Sequence, residues 1–149
     1  MRPIFLFAAW AAGLGAAAAQ DAIVVPDAPA GFKRYDISTA ATADAPRRIE
    51  FFVGKSMTID CNQHMLNGEF VRGEAQGAAY FTFQTDGRTS STKIACPDET
   101  KKAFVIGPAM LVDASERAPL VVYAPDGYEL RYHIWGVLER NRTAKAKSD

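Results

Sequence analysis

The chain has 149 residues, 17 of them Lys or Arg and 17 Asp or Glu, so its formal net charge is zero, and it has two histidines and two cysteines. That balance leaves no global field to draw the protein to nucleic acid or to an anionic membrane surface, and neither partner is expected. Neither His64 nor His133 sits in a catalytic motif, no Gly-x-Ser-x-Gly elbow exists, and Cys61-Asn62-Gln63-His64 lacks the second ligand pair of a structural zinc site; enzyme, metal and cofactor readings are therefore set aside.

Met1-Arg2-Pro3 leads into an apolar run from Ile4 to Ala12, followed by Gly13-Leu14-Gly15 and the alanines 16–19. One positive charge, a short apolar stretch and small residues at its end make residues 1–20 a secretory signal, cut near Ala19 or Gln20. The run is too short, and too interrupted by glycine, to serve as a membrane span. Residues 21–149, about 130 in all, suffice for a single domain with its own core. An exported chain meets an oxidising compartment, so Cys61 and Cys96 are read as one disulfide. Closing a loop of about 35 residues stabilises by roughly 4 kcal/mol on the chain-entropy account.

From Gln20 to Ala45 the composition of Ala, Pro, Asp and Thr predicts a poorly ordered start, with a first pairing segment at Gly31–Ile37. Beyond Pro46, short β-branched and aromatic runs alternate with turn signals. Ile49 to Val53 is one run, expected to stop at Gly54. Met57, Ile59 and Cys61 alternate with polar residues and should share a face. Asn67-Gly68 is the strongest hairpin signal, between Met65-Leu66 and Phe70-Val71. Further runs are Tyr80 to Phe83, Phe104 to Ile106, Leu120 to Tyr123 and Leu130 to Trp135, with turns at Asp86-Gly87 and Pro125-Asp126-Gly127. His133 is expected on a strand face opposite Tyr132 and Ile134, with its ring satisfied. No capped apolar stripe of helical period longer than about three turns appears, so the fold is expected to be all-β, a small antiparallel barrel or sandwich. The charged, small-residue stretch 140–149 reads as a frayed tail, and Asn141-Arg142-Thr143 fits the glycosylation pattern.

One stretch stands apart. Ser90-Ser91-Thr92-Lys93-Ile94-Ala95-Cys96-Pro97 is polar, has neither helical nor strand period, and ends at a cysteine. Crosslinked to Cys61, it becomes a loop anchored on its C-terminal side that offers one long cation. A preorganised extended segment with a single lysine is what a trypsin-like serine protease accepts. The same residues equally describe an ordinary surface loop with a solvated lysine, and the chain as a whole also fits an exported β-barrel module that binds a small apolar ligand.

The joint pattern goes further. Gly54, then Ile59-Asp60-Cys61-Asn62-Gln63-His64, Asn67-Gly68, Ser91 through Asp98, Lys101 through Val105, Pro119 through Asp126 and Tyr132-His133-Ile134-Trp135 together resemble the ecotin family of periplasmic serine-protease inhibitors, from about Gly31 to Leu138. The resemblance implies a β-barrel-like inhibitor whose reactive loop enters chymotrypsin-fold proteases as a substrate does. Carried onto this sequence, Lys93-Ile94 is the reactive bond and Lys93 the primary specificity residue, with Ser91, Thr92 and Ala95 in the protease-binding loop. Cys61 and Cys96 hold the loop's far side, and Asn62 and His64 support it from a neighbouring loop. The family often places methionine where this chain has Lys93, which implies a trypsin-like preference. It carries large aromatics on a second contact surface where this chain has Gly77-Ala78-Ala79, which implies a weaker secondary site. It also implies a homodimer made by exchange of C-terminal strands, beginning at Trp135, although almost nothing apolar follows Leu138.

Overall fold

In the computed structural model, which describes residues 24–39, 42, 45–114, 118–138 and 143–144, the regular structure is entirely β. The expected leader at 1–20 and most of the tail at 140–149 lie outside those residues. The strands are β1 (Phe32–Ile37), β2 (Arg47–Ile59), β3 (His64–Leu66), β4 (Glu69–Ala75), β5 (Ala78–Gln84), β6 (Thr89–Ser91), β7 (Lys101–Ile106), β8 (Met110–Asp113), β9 (Leu120–Pro125) and β10 (Glu129–Gly136). One sheet runs β1-β9-β5-β4 and another β10-β2-β7, with β8 also on β2, while β3 and β6 form a small third sheet. Neither large sheet closes on itself, so the architecture is sandwich-like rather than a barrel. All pairings are antiparallel except β5 with β9, which are parallel because the chain visits other sheets between them.

β2 is the longest element and organises the second sheet. Its residues Arg47 to Gly54 pair with β10 along one edge, while Arg48 to Phe51 meet β8 and Gly54 to Ile59 meet β7 along the other. Gly54 therefore does not end a strand, as its sequence context suggested, but lies inside one. A Cβ there would sit 2.4 Å from the Val105 carbonyl oxygen, so glycine is what lets β7 approach.

The alternation of β2 places Ile49, Phe51 and Val53 inward. They meet Phe81 and Phe83 of β5 and Val122 and Ala124 of β9, with Leu66 and Val105 closing one end. Aromatic contacts link Phe51 edge-on to Phe70, and in tilted geometry Phe51 to Phe81 and Phe70 to Phe83, at centroid separations of 4.9–5.4 Å. These side chains form the apolar core between the two large sheets.

The other face of the first sheet is also covered, by residues 24–26 of the segment expected to be poorly ordered. Val25 is buried against Ala78, Val121 and Tyr123. The segment is tied by the Arg34 guanidinium to the Val25 carbonyl, the Tyr123 hydroxyl to the Pro26 carbonyl and the Val24 N–H to Gln76. Apolar coverage on both faces explains why Val121 to Ala124 are all buried, in a continuous run rather than an alternating one.

The hairpin expected at Asn67-Gly68 does not form. β3 pairs with β6 and not with β4, and Asn67 is held by Arg88, Thr85 and Ser90 instead: its N–H donates to the Arg88 carbonyl, and its two oxygens accept the Thr85 and Ser90 hydroxyls. Burial of Leu66 in the core fixes that course. The tight hairpin lies one strand later, where Gln76 and Gly77 have φ of 50° and 76° between the paired Ala75 and Ala78. Two successive positive values fit the turn that matches the twist of paired strands.

Candidate functional site

The small β3-β6 sheet sets the start of the irregular segment. His64 pairs with Ser91, Met65 with Ser90 and Leu66 with Thr89, so the chain leaves β6 extended and directly beside the loop at 60–63. One residue later the pairing continues in a different form. Thr92 N–H donates to the Gln63 carbonyl at 3.1 Å, and Gln63 N–H donates to the Thr92 hydroxyl at 3.1 Å. Past Thr92, none of the described strands pairs with the backbone of this segment.

A side chain takes over that task. Asn62 is buried, the one polar residue in that class among those described. Its Oδ1 accepts the Thr92 hydroxyl and the Ile94 N–H, each at 2.8 Å. Its Nδ2 donates to Asp60 Oδ2 at 2.9 Å, to the Ile94 carbonyl at 3.3 Å, and approaches Cys96 Sγ at 3.1 Å. An amide carries both acceptor and donor capacity, which is why this residue type can satisfy N–H and C=O of one neighbour at once. On the far side the Cys61–Cys96 disulfide, with Cα atoms 5.7 Å apart and a sequence separation of 35, holds the chain again.

Between these anchors Lys93 is exposed, and among the described residues its ammonium has neither a hydrogen bond nor an ion pair. Ile94 is 65% exposed although both its backbone polar groups are engaged. Ala95 is exposed as well. The segment thus combines a constrained backbone with free side chains.

Beneath the amide lies a residue that the sequence patterns did not single out. Asp60 Oδ1 accepts the Asn62 N–H at 2.9 Å and faces His64 Nε2 at 2.8 Å, while Oδ2 takes the Asn62 amide. The His64 ring, then the Asn62 side chain and backbone, hold the Asp60 carboxyl down at about 2, against an ordinary 3.8. The sign that could have revealed it is Asp60-Cys61-Asn62, in which an aspartate can bond the N–H two residues on and fold the loop locally.

The remaining residues of interest lie elsewhere. His133 meets Glu50 Oε2 at 3.2 Å and stacks edgewise on Phe52, a strand histidine with its ring occupied. Trp135, the seventh of eight residues in β10, donates its indole N–H to the same Glu50 oxygen at 3.1 Å and is not joined to the loop. It is 55% exposed, in a strand whose Tyr132 and Ile134 are nearly half exposed, and Val137 and Leu138 beyond it are exposed too.

A sequence model of the family described as Ecotin matches residues 21–137. The chain is 35% identical, over 138 residues, to a protein called Ecotin from Pseudomonas putida, covering 89% of this chain and 87% of that protein. Proteins of the same name from Yersinia pestis and Yersinia pseudotuberculosis are 34% identical over 130 residues, covering 82% of this chain and 77% of theirs.

Proposed function

The chain belongs to the ecotin family, and from that premise we propose that it inhibits serine proteases by presenting Lys93-Ile94 as a substrate-like bond, with a preference for trypsin-like enzymes. The observation that carries this reading is the single buried amide of Asn62, which binds the backbone on the Ile94 side of that bond while Lys93 stays free and exposed. A loop already held in its bound shape loses little conformational entropy on docking. A lysine supports the trypsin-like preference, because a pocket with a buried carboxylate compensates its charge and an apolar pocket does not.

Inhibition rather than turnover follows if the cut chain cannot separate. Thr92 is tied to Gln63 and Asn62, and Cys96 to Cys61, so both sides of the bond remain attached to one scaffold. Ser91, Thr92 and Ala95 make the remaining loop contacts in this reading. Asn62, with His64 acting through Asp60, gives the support.

A secondary contact at the β4-β5 turn contributes less here. The two-residue turn is short, and Ala78 and Ala79 lack the aromatic bulk that usually anchors an interface. We also propose a homodimer in which C-terminal strands are exchanged around Trp135, supported by the exposed apolar residues of β10. Two linked sites would raise effective concentration. Sedimentation showing monomer alone at micromolar concentration would exclude it. The apolar leader and the disulfide support a periplasmic location reached through a cleaved signal at 1–20.

Titration of trypsin with the purified protein is the direct test. Stoichiometric loss of activity that vanishes in Lys93→Asp is the expected result; no loss at micromolar concentration would sink the reading. Inhibition constants against trypsin-, chymotrypsin- and elastase-like enzymes test the preference, and equal potency against the three would remove it.

A further inference from the structure

We propose that Asp60 is a positioning residue: it sets which way the Asn62 amide faces, and that orientation keeps the Ile94 nitrogen able to reseal the Lys93–Ile94 bond. The inference rests on the inhibitor reading above and adds a residue and a task to it.

The two ends of an amide are nearly equal in size and opposite in hydrogen-bonding character, so shape alone does not select between its two orientations. A carboxylate does. Asp60 Oδ2 lies 2.9 Å from the amide and can only accept, which requires Nδ2 on that side and turns Oδ1 to the Thr92 hydroxyl and the Ile94 N–H. The reversed amide would set oxygen against carboxylate oxygen and NH2 against N–H. Because Asn62 is buried, water cannot readily repair either mismatch. The carboxylate is itself fixed, since its other oxygen is engaged by the Asn62 N–H and the His64 ring.

The orientation matters at the bond proposed to react. The protease serine oxygen adds to the Lys93 carbonyl carbon, the C–N bond to Ile94 breaks, and the serine proton passes to the departing nitrogen. An ester of Lys93 and a free amine on Ile94 result. In the reverse step the amine nitrogen adds to the ester carbon, the C–N bond forms, the C–O bond breaks and the serine oxygen recovers its proton. An acceptor at Ile94 holds the amine through one of its N–H bonds and leaves the lone pair free to attack. The NH2 end of a reversed amide would bind that lone pair and block it.

The test begins with amide hydrogen exchange in the free full-length protein, comparing wild type with the near-isosteric Asp60→Asn, which can donate to Asn62 and so permits the reversed amide. Loss of the Asn62 acceptor should speed Ile94 exchange by roughly tenfold, whereas Thr92, whose N–H bonds the Gln63 carbonyl, should stay unchanged. Unchanged Ile94 exchange overturns the proposal. Equal acceleration at both amides also overturns it, because Asp60 would then merely keep the loop folded. On prolonged incubation with trypsin, Asp60→Asn should accumulate chain cut at Lys93–Ile94 several-fold faster than wild type, and equal accumulation overturns the resealing role. Wild type failing to inhibit trypsin would overturn the inhibitor reading along with that role. If Asp60→Asn loses its fold, His64→Ala carries the same readout: a smaller acceleration at Ile94 alone supports the proposal, and none, or equal acceleration at both amides, overturns it.

Discussion

The side-chain oxygen of Asn62 accepts the Ile94 N–H at 2.8 Å, and the nitrogen of the same side chain lies 3.3 Å from the Ile94 carbonyl. One buried residue thus supplies both hydrogen-bond partners of an exposed residue 32 positions away, where a strand neighbour would normally do so. Removing that side chain leaves the Thr92 hydroxyl and both polar groups of Ile94 without their partner. Asn62→Ala is expected to weaken protease binding by about 1–3 kcal/mol, roughly 5- to 150-fold, with the fold retained. Inhibition constants against trypsin measure the effect, and an unchanged constant would show that the brace is irrelevant to docking.

Asp60 makes the acid behaviour of the loop predictable in sign. Its folded-state pKa of about 2 lies below the ordinary 3.8, so between those values the unfolded chain holds more protons than the folded one. Its stabilising contribution is complete above 3.8, shrinks as pH falls toward 2, and is absent below both. Unfolding free energies of wild type and Asp60→Asn should therefore converge across that interval while remaining separated and parallel at higher pH. A separation that grows on acidification would contradict the assignment.

The close approach at Gly54 gives a stability prediction remote from the loop. In Gly54→Ala the new methyl would fall 2.4 Å from a backbone oxygen of β7 and 2.9 Å from the Phe104 ring, whose face also carries Arg131. The ring can turn, but the backbone must move. We expect a loss of roughly 1–3 kcal/mol in urea unfolding; a variant as stable as wild type would show that β2 and β7 separate freely.

The crosslink joins the stability of the domain to the integrity of the loop. Replacing Cys61 and Cys96 together by serine releases a closure of 35 residues and should cost about 4 kcal/mol on the chain-entropy account. The change also removes the sulfur that Asn62 approaches on the Cys96 side. We expect the double variant to be cut by trypsin at Lys93–Ile94 faster than wild type under conditions where it remains folded. Equal resistance would mean that Asn62 and Gln63 suffice to hold the loop.

The sequence alone determined the elements whose cause is local. The apolar runs at Ile49 to Val53 and Leu120 to Tyr123 and the Pro125-Asp126-Gly127 turn are properties of a few adjacent residues. The cysteine pairing was legible because two cysteines leave one choice of partner. What the tertiary structure decided were matters of which distant segments meet. Asn67-Gly68 has the composition of a hairpin, yet burial of Leu66 and bonds to residues 85–90 draw β3 to β6. Gly54 looks like a stop until β7 is seen to need the space. Asp60 passed for one polar position in an alternating strand, because a carboxylate gains its meaning here from an amide that faces a loop more than thirty residues on. Periodicity and propensity act over a few residues, while hydrogen-bond satisfaction and packing are settled only once the whole chain is in place.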